Sequence, residues 1–113
     1  MYNTVMIGDK EVPMLAMASS AVYYRRVFGR DPLQTQVDLE STGQRVAFYG
    51  EMGYIMAMMA EAKGDRDKLR KLNEDGYIEW LDQFAATDYN LAIPDIAAIY
   101  EGQQKPSSKP KNE

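Results

Sequence analysis

Ser41-Thr42-Gly43-Gln44-Arg45-Val46-Ala47-Phe48-Tyr49-Gly50-Glu51-Met52-Gly53-Tyr54-Ile55-Met56-Ala57-Met58-Met59-Ala60 is the stretch on which the fold turns. Ser41 followed three positions later by Gln44 is the pattern of a helix start in which side chains and backbone cap each other. The helix is expected to run to about Ala62 and to be closed by Gly64. Between Val46 and Ala60 the only charged residue is Glu51, so the segment is apolar nearly all round and reads as the buried centre of the molecule. Its faces differ in size. Gly50, Gly53, Ala57 and Ala60 form a small-residue stripe that lets another helix approach closely, whereas Phe48, Met52, Ile55, Met56 and Met59 form a bulky one.

Working outward toward the N-terminus, Asp31-Pro32-Leu33-Gln34 is a second start signal, with Asp31 as cap, Pro32 at the first helical position and Gln34 placed for a capping box, for a short helix to about Glu40. Before it, Ala21, Tyr24, Val27 and Phe28 recur at helical spacing between the Ser19-Ser20 pair as N-cap and Gly29 as stop, while Arg25 and Arg26 point away. Thr4-Val5-Met6-Ile7 and Lys10-Glu11-Val12-Pro13-Met14 flank Gly8-Asp9 and read as a β-hairpin, Pro13 marking an edge strand. Toward the C-terminus, Asp65 to Asn73 is a short charged helix anchored by Leu69 and Leu72. Tyr77, Ile78, Trp80, Leu81 and Phe84 mark a further amphipathic helix ending near Ala86. Ile93, Ile96, Ala97 and Tyr100 mark the last, with Pro94 in its first turn and Gly102 beyond its end. From Gln103 onward there is no apolar residue apart from proline, which predicts a disordered tail. The fold expected is mostly α (α+β): one domain over residues 1–102, an N-terminal hairpin and about five to six helices packed round the Met-rich centre, then a tail at 103–113.

Composition bounds the chemistry. The 113 residues contain neither Cys nor His, which excludes disulfides, thiolate nucleophiles, iron–sulfur clusters, thiolate zinc sites and every His-based triad or metal site. Carboxylates, lysine and tyrosine remain for proton chemistry, and no catalytic constellation is visible among them. The expectation is a protein without catalytic activity, cofactor or metal. Residues 1–102 carry 10 Lys/Arg against 16 Asp/Glu, a net of −6, while the tail adds +2. An acidic body argues against nucleic-acid binding, which needs a positive field. The N-terminus lacks the basic-then-apolar pattern of a signal peptide, and no apolar run is long enough to span a bilayer, so an intracellular, soluble protein is expected.

Each local candidate has a plainer reading beside it. Tyr23-Tyr24-Arg25-Arg26 with Arg30 mixes aromatic and basic residues as single-strand nucleic-acid binders do, but also reads as an amphipathic helix with Tyr24 buried and its arginines solvated. Asp65-x-Asp67 opens like a calcium loop and fails at Leu69 and Arg70, where a ligand and a glycine belong. Glu79 and Asp82 lie on one helix face without a partner base, and no glycine-rich phosphate loop is present. The eight methionines, four of them within Met52–Met59, suit either an adaptable core or an adaptable binding groove, and the burial expected of their helix favours the core.

The run Ser20-Ala21-Val22-Tyr23-Tyr24-Arg25-Arg26-Val27-Phe28-Gly29-Arg30-Asp31-Pro32-Leu33 resembles the Tyr-Arg-x-x-Phe-Gly-x-Asp-x-Leu segment of tail assembly chaperones from long-tailed, non-contractile phages and prophages of Gram-positive bacteria. An Ile-Gly-Asp-Lys-Glu-Val hairpin before it, the Met- and Ala-rich helix after it, and Trp80-Leu81-Asp82-Gln83-Phe84 follow the same order over roughly residues 4–102. That resemblance implies a protein of the host-cell cytoplasm, absent from the mature virion, that coats and solubilises the tape-measure protein before the tail tube polymerises. It also implies self-association, with a frameshifted longer form of the same chain as a second partner. The residues expected to meet the partner are Arg25, Arg26, Arg30 and Asp31, with Met52, Met56 and Met59 supplying adaptable apolar contact. Two other readings remain beside it: a small regulatory or anti-repressor-like adaptor that dimerises through the Gly50–Ala60 stripe, and a DNA-binding regulator using Arg25, Arg26 and Arg30.

Overall fold

A tight turn at Gly8 and Asp9 joins β1 (Tyr2–Ile7) to β2 (Lys10–Leu15) in an antiparallel pair whose register sets Val5 opposite Val12 and Thr4 opposite Pro13. Alternation sends Val5, Ile7 and Met14 into the core and leaves Tyr2, Met6 and Pro13 on the outside. Six helices follow: α1 (Ala18–Phe28), α2 (Pro32–Val37), α3 (Thr42–Ala62), α4 (Arg66–Arg70), α5 (Glu74–Leu81) and α6 (Ala86–Gln104). These elements belong to a computed structural model describing residues 2–104, 67 % helical, and the architecture is the α+β arrangement expected from the sequence.

Helix α3 is the centre. Ser41 Oγ accepts from Gln44 N at 3.1 Å while Gln44 Oε1 accepts from Ser41 N at 3.1 Å, the reciprocal cap that the sequence signals. Its C-terminus closes on Lys63, in the left-handed region at φ 52°, one residue before the glycine expected there. The hairpin, α1 and α6 wrap α3, and Phe48, Met52, Ile55 and Met56 are at most 1 % exposed.

The small-residue stripe is used as its spacing predicts. A Cβ on Gly53 would lie 3.1 Å from Ile96 Cγ2 of α6, and one on Gly50 would lie 1.5 Å from Tyr89 Oη. Only glycine therefore admits α6 at that depth. The Tyr77 hydroxyl donates to that of Tyr89, and Tyr89 donates in turn to the Val46 carbonyl at 3.2 Å. Burial, the first cause, together with this donation pushes the Tyr77 hydroxyl well above its ordinary pKa.

Several boundaries differ from the sequence reading. Helix α1 begins at Ala18, and Ser20, expected as a cap, sits inside the first turn. There its buried Oγ accepts from Met17 N at 3.0 Å and donates to Met59 Sδ at 3.2 Å, tying α1 to α3. Asp31 does cap α2, but Gln34 donates to Asp38 instead of completing a capping box, and α2 ends at Val37. Helix α5 stops at Leu81, leaving Phe84 on the connection. The largest difference is α6, which starts at Ala86 and carries Pro94 in its interior. Pro94 has no N–H for the Asn90 carbonyl, and its ring lies on the exposed side, so the helix loses one bond and continues. Gly102 lies within α6 and Gln103 and Gln104 extend it; the rest of the tail expected at 103–113 lies outside the described residues.

Candidate functional site

Arg25 and Arg26 of α1 and Arg30 just beyond it do not form one patch. Arg26 lies over the Tyr23 ring, 5.4 Å from its centroid, and Arg25 is exposed. Arg30 is held against α3, its Nη2 donating to both Glu51 carboxylate oxygens at 2.6 Å. Tyr24, fully buried, donates to Glu51 Oε1 at 2.7 Å. Glu51, the one charge between Val46 and Ala60, is thus held by a cation and a phenol, which is how a carboxylate survives beside a core. Burial first, then the Glu51 carboxylate, raises the Tyr24 hydroxyl far above its ordinary pKa, and the same carboxylate holds the Arg30 guanidinium still more firmly protonated. Asp31 is occupied by the α2 cap, accepting from Leu33 N at 3.0 Å.

Met52 and Met56 are fully buried and Met59 is 3 % exposed, so the apolar contact face expected of these residues is closed inside the core. Likewise, Gly50 and Gly53 are filled by α6 and offer no surface for dimerisation, whereas Ala57 and Ala60 of the same stripe line a groove. Of the seven residues expected at a partner surface, Arg25, Arg26, Arg30 and Asp31 reach the surface, and the three methionines do not.

An open groove lies on another side of α3. Tyr54, Ala57, Met58 and Glu61, at positions i, i+3, i+4 and i+7, form one wall, and Gly76, Glu79, Trp80 and Gln83, at the same spacing along α5 and its C-terminal extension, form the second. The β2 strand, through Lys10 to Pro13, is the third, and the enclosed volume is about 950 Å³. Beside it α3 and α5 touch through Tyr54, whose ring centroid lies 5.7 Å from that of Tyr77 and 5.9 Å from that of Trp80. The floor is apolar: Tyr54 and Trp80 lie at the bottom, with Met58 and Phe84 half-buried above them. A second hollow of about 270 Å³, bounded by Leu69, Leu72 and Lys68, shares Met58 and Glu61 with the first, so Met58 stands on a ridge between two depressions.

The groove was not legible as a site. Met58 belongs to the methionine cluster but not to the expected face, and Trp80 and Phe84 read as core. Among the described residues no cluster of carboxylates is arranged to hold a metal ion, and no helix is long and apolar enough to cross a membrane. No family profile, curated protein or solved structure matches the chain.

Proposed function

We propose that this chain is a non-catalytic tail assembly chaperone that binds the tape-measure protein in the host cytoplasm and keeps it soluble during phage tail morphogenesis. The observation that carries the reading is the order of its parts: an Ile-Gly-Asp-Lys-Glu-Val hairpin, Tyr24 to Leu33, the Met-rich helix and Trp80 to Phe84, set in one small α+β domain. A long helical protein with an exposed apolar stripe needs reversible cover, and the groove beside Met58 offers Trp80, Phe84 and Met58 between charged residues as a place where such a stripe fits. A frameshifted longer form of the chain and further copies of it are the other partners expected from the resemblance.

Two observations weigh against the alternatives. An adaptor dimerising through Gly50 and Gly53 would have to displace α6, and a DNA-binding surface centred on Arg30 would have to draw that side chain from Glu51. The test is co-expression with the long helical protein encoded beside this one. Increased solubility of that protein and recovery of a complex at moderate salt are expected. Equal aggregation with and without the chain, and no complex, would overturn the reading.

A further inference from the structure

Near the groove, charged side chains stand without ion pairs among the described residues. Glu11 on β2, Glu61 on α3 and Glu79 on α5 line it together with Lys10 and Lys63, and none of these five forms an ion pair among the described residues. Carboxylates outnumber lysines and come from all three walls. The fields of Glu79 and Glu61 meet at the Tyr54 hydroxyl on the floor, whose pKa burial raises most, a hydrogen bond with the Asn73 backbone lowers in part, and these two charges raise further. An occupant with cations flanking an apolar stripe answers both the floor and the rim.

The walls also select the shape of the occupant. Pro13 pairs with Thr4 but has no N–H to give, so the sides of residues 11, 13 and 15 face the free edge of β2. At the centre of that edge the donor is missing, and a strand added there would lose a ladder bond in its middle. A helix needs no backbone partners from the walls. Two walls spaced i, i+3, i+4, i+7, with Ala57 as the small residue between Tyr54 and Glu61, are surfaces into which the ridges of a third helix pack, while Gly76 is taken up by the Tyr54 hydroxyl.

We propose that the groove between α3, α5 and the β2 edge is the docking site for an amphipathic helix of the partner, its large aliphatic residues seated on Trp80, Tyr54 and Met58 and its flanking Lys or Arg residues facing Glu11, Glu61 and Glu79. This deepens the chaperone reading and rests on it for the partner's being a long helical protein; the groove and its charge preference come from the geometry.

Trp80, the one tryptophan of the chain, lies in the groove and reports its occupancy by fluorescence. The probes for titration of the full chain are an eighteen-residue helical peptide of Leu at i, i+3, i+4, i+7 and Lys elsewhere, its Leu/Glu counterpart, a scrambled Leu/Lys peptide and an alternating Val/Lys strand-former. The helical Leu/Lys peptide is expected to bind saturably, at least tenfold more tightly than the others. Met58→Glu should weaken it at least tenfold, and Glu61→Lys with Glu79→Lys should reverse the preference toward the Leu/Glu peptide, a gain that misfolding does not produce. Equal binding of the scrambled peptide, tighter binding of the strand-former, or a Trp80 emission that shifts with protein concentration alone, the sign of a second copy, would each overturn the proposal. If the co-expressed complex forms and Met58→Glu leaves it intact, the groove falls and the chaperone reading stands. If the peptide binds as expected but no complex forms, the chaperone reading falls instead.

Discussion

Around Gly50 and Gly53, helix α3 is sealed; around Ala57, Met58 and Glu61, one to two turns on, it is open. Both stretches present small residues to a neighbouring element. In the first, α6 fills the space so closely that Tyr89 occupies the position of a missing Cβ. In the second, a groove between α3, α5 and β2 is left to solvent. One helix thus carries a surface committed to the protein's own core and a surface left for something else, and the two respond differently to the same kind of change.

Met56→Asp against Met58→Asp is the sharpest way to break the comparison. Met56 is 0 % exposed, so an aspartate there buries an unpaired charge, costs more than about 4 kcal/mol and should abolish cooperative melting. Met58→Asp, on the half-buried ridge, should melt within about 1 kcal/mol of the parent. Equal loss in both, read by thermal denaturation, would erase the distinction. Gly50→Ala comes next, because the added methyl must displace Tyr89; a loss of about 3 kcal/mol is expected, and an unchanged melting temperature would show that the seal is loose.

Alkaline titration tests the packing on both sides of the comparison, since Tyr54 borders the groove and Tyr77 and Tyr89 lie at the seal. Burial raises the hydroxyls of Tyr24, Tyr49, Tyr54, Tyr77 and Tyr89 above their ordinary value of 10.0. The folded state therefore holds these protons more tightly than the unfolded chain. The stability they confer is fully present below about pH 10, where unfolded tyrosine begins to ionise, and is lost as pH rises toward the folded values. Tyrosinate absorbance and loss of far-ultraviolet ellipticity should coincide; full ionisation of the tyrosines with the helices intact would contradict the packing. The smallest effect is Ser41→Ala, which removes one side of the α3 cap and should cost about 1 kcal/mol in denaturant melts.

What the sequence revealed follows the range over which each signal acts. The α3 cap, the glycine stop of α1, the Asp31 cap and the hairpin depend on neighbours a few positions apart, and they appear where the residues place them. The start of α6 was obscured because proline is most at home in a first helical turn, so Pro94 reads as a beginning although it lies nine residues inside. What holds Ala86 to Asn90 in the helix is tertiary: Tyr89 inserted at Gly50, and Asp88 set against the hairpin turn at Gly8. The groove was illegible for a related reason. Periodicity shows that α3 and α5 each carry a stripe, but not the angle between them. That angle decides whether Met58 is core, like Met52 and Met56, or surface.

The depth at which α6 is seated bears on the order in which the molecule can be made. Ala92, Ile93, Ile96, Ala97 and Tyr100 supply one wall of the core, against both β1 and α3, and among the described residues they are the last of that core to leave the ribosome. Until then the nascent chain displays the surfaces of β1 and of α3 around Gly50 and Gly53 that α6 covers in the finished molecule. Cooperative closure therefore waits for the final helix, and translation speed through residues 86–100 governs how long the unfinished chain stays adhesive.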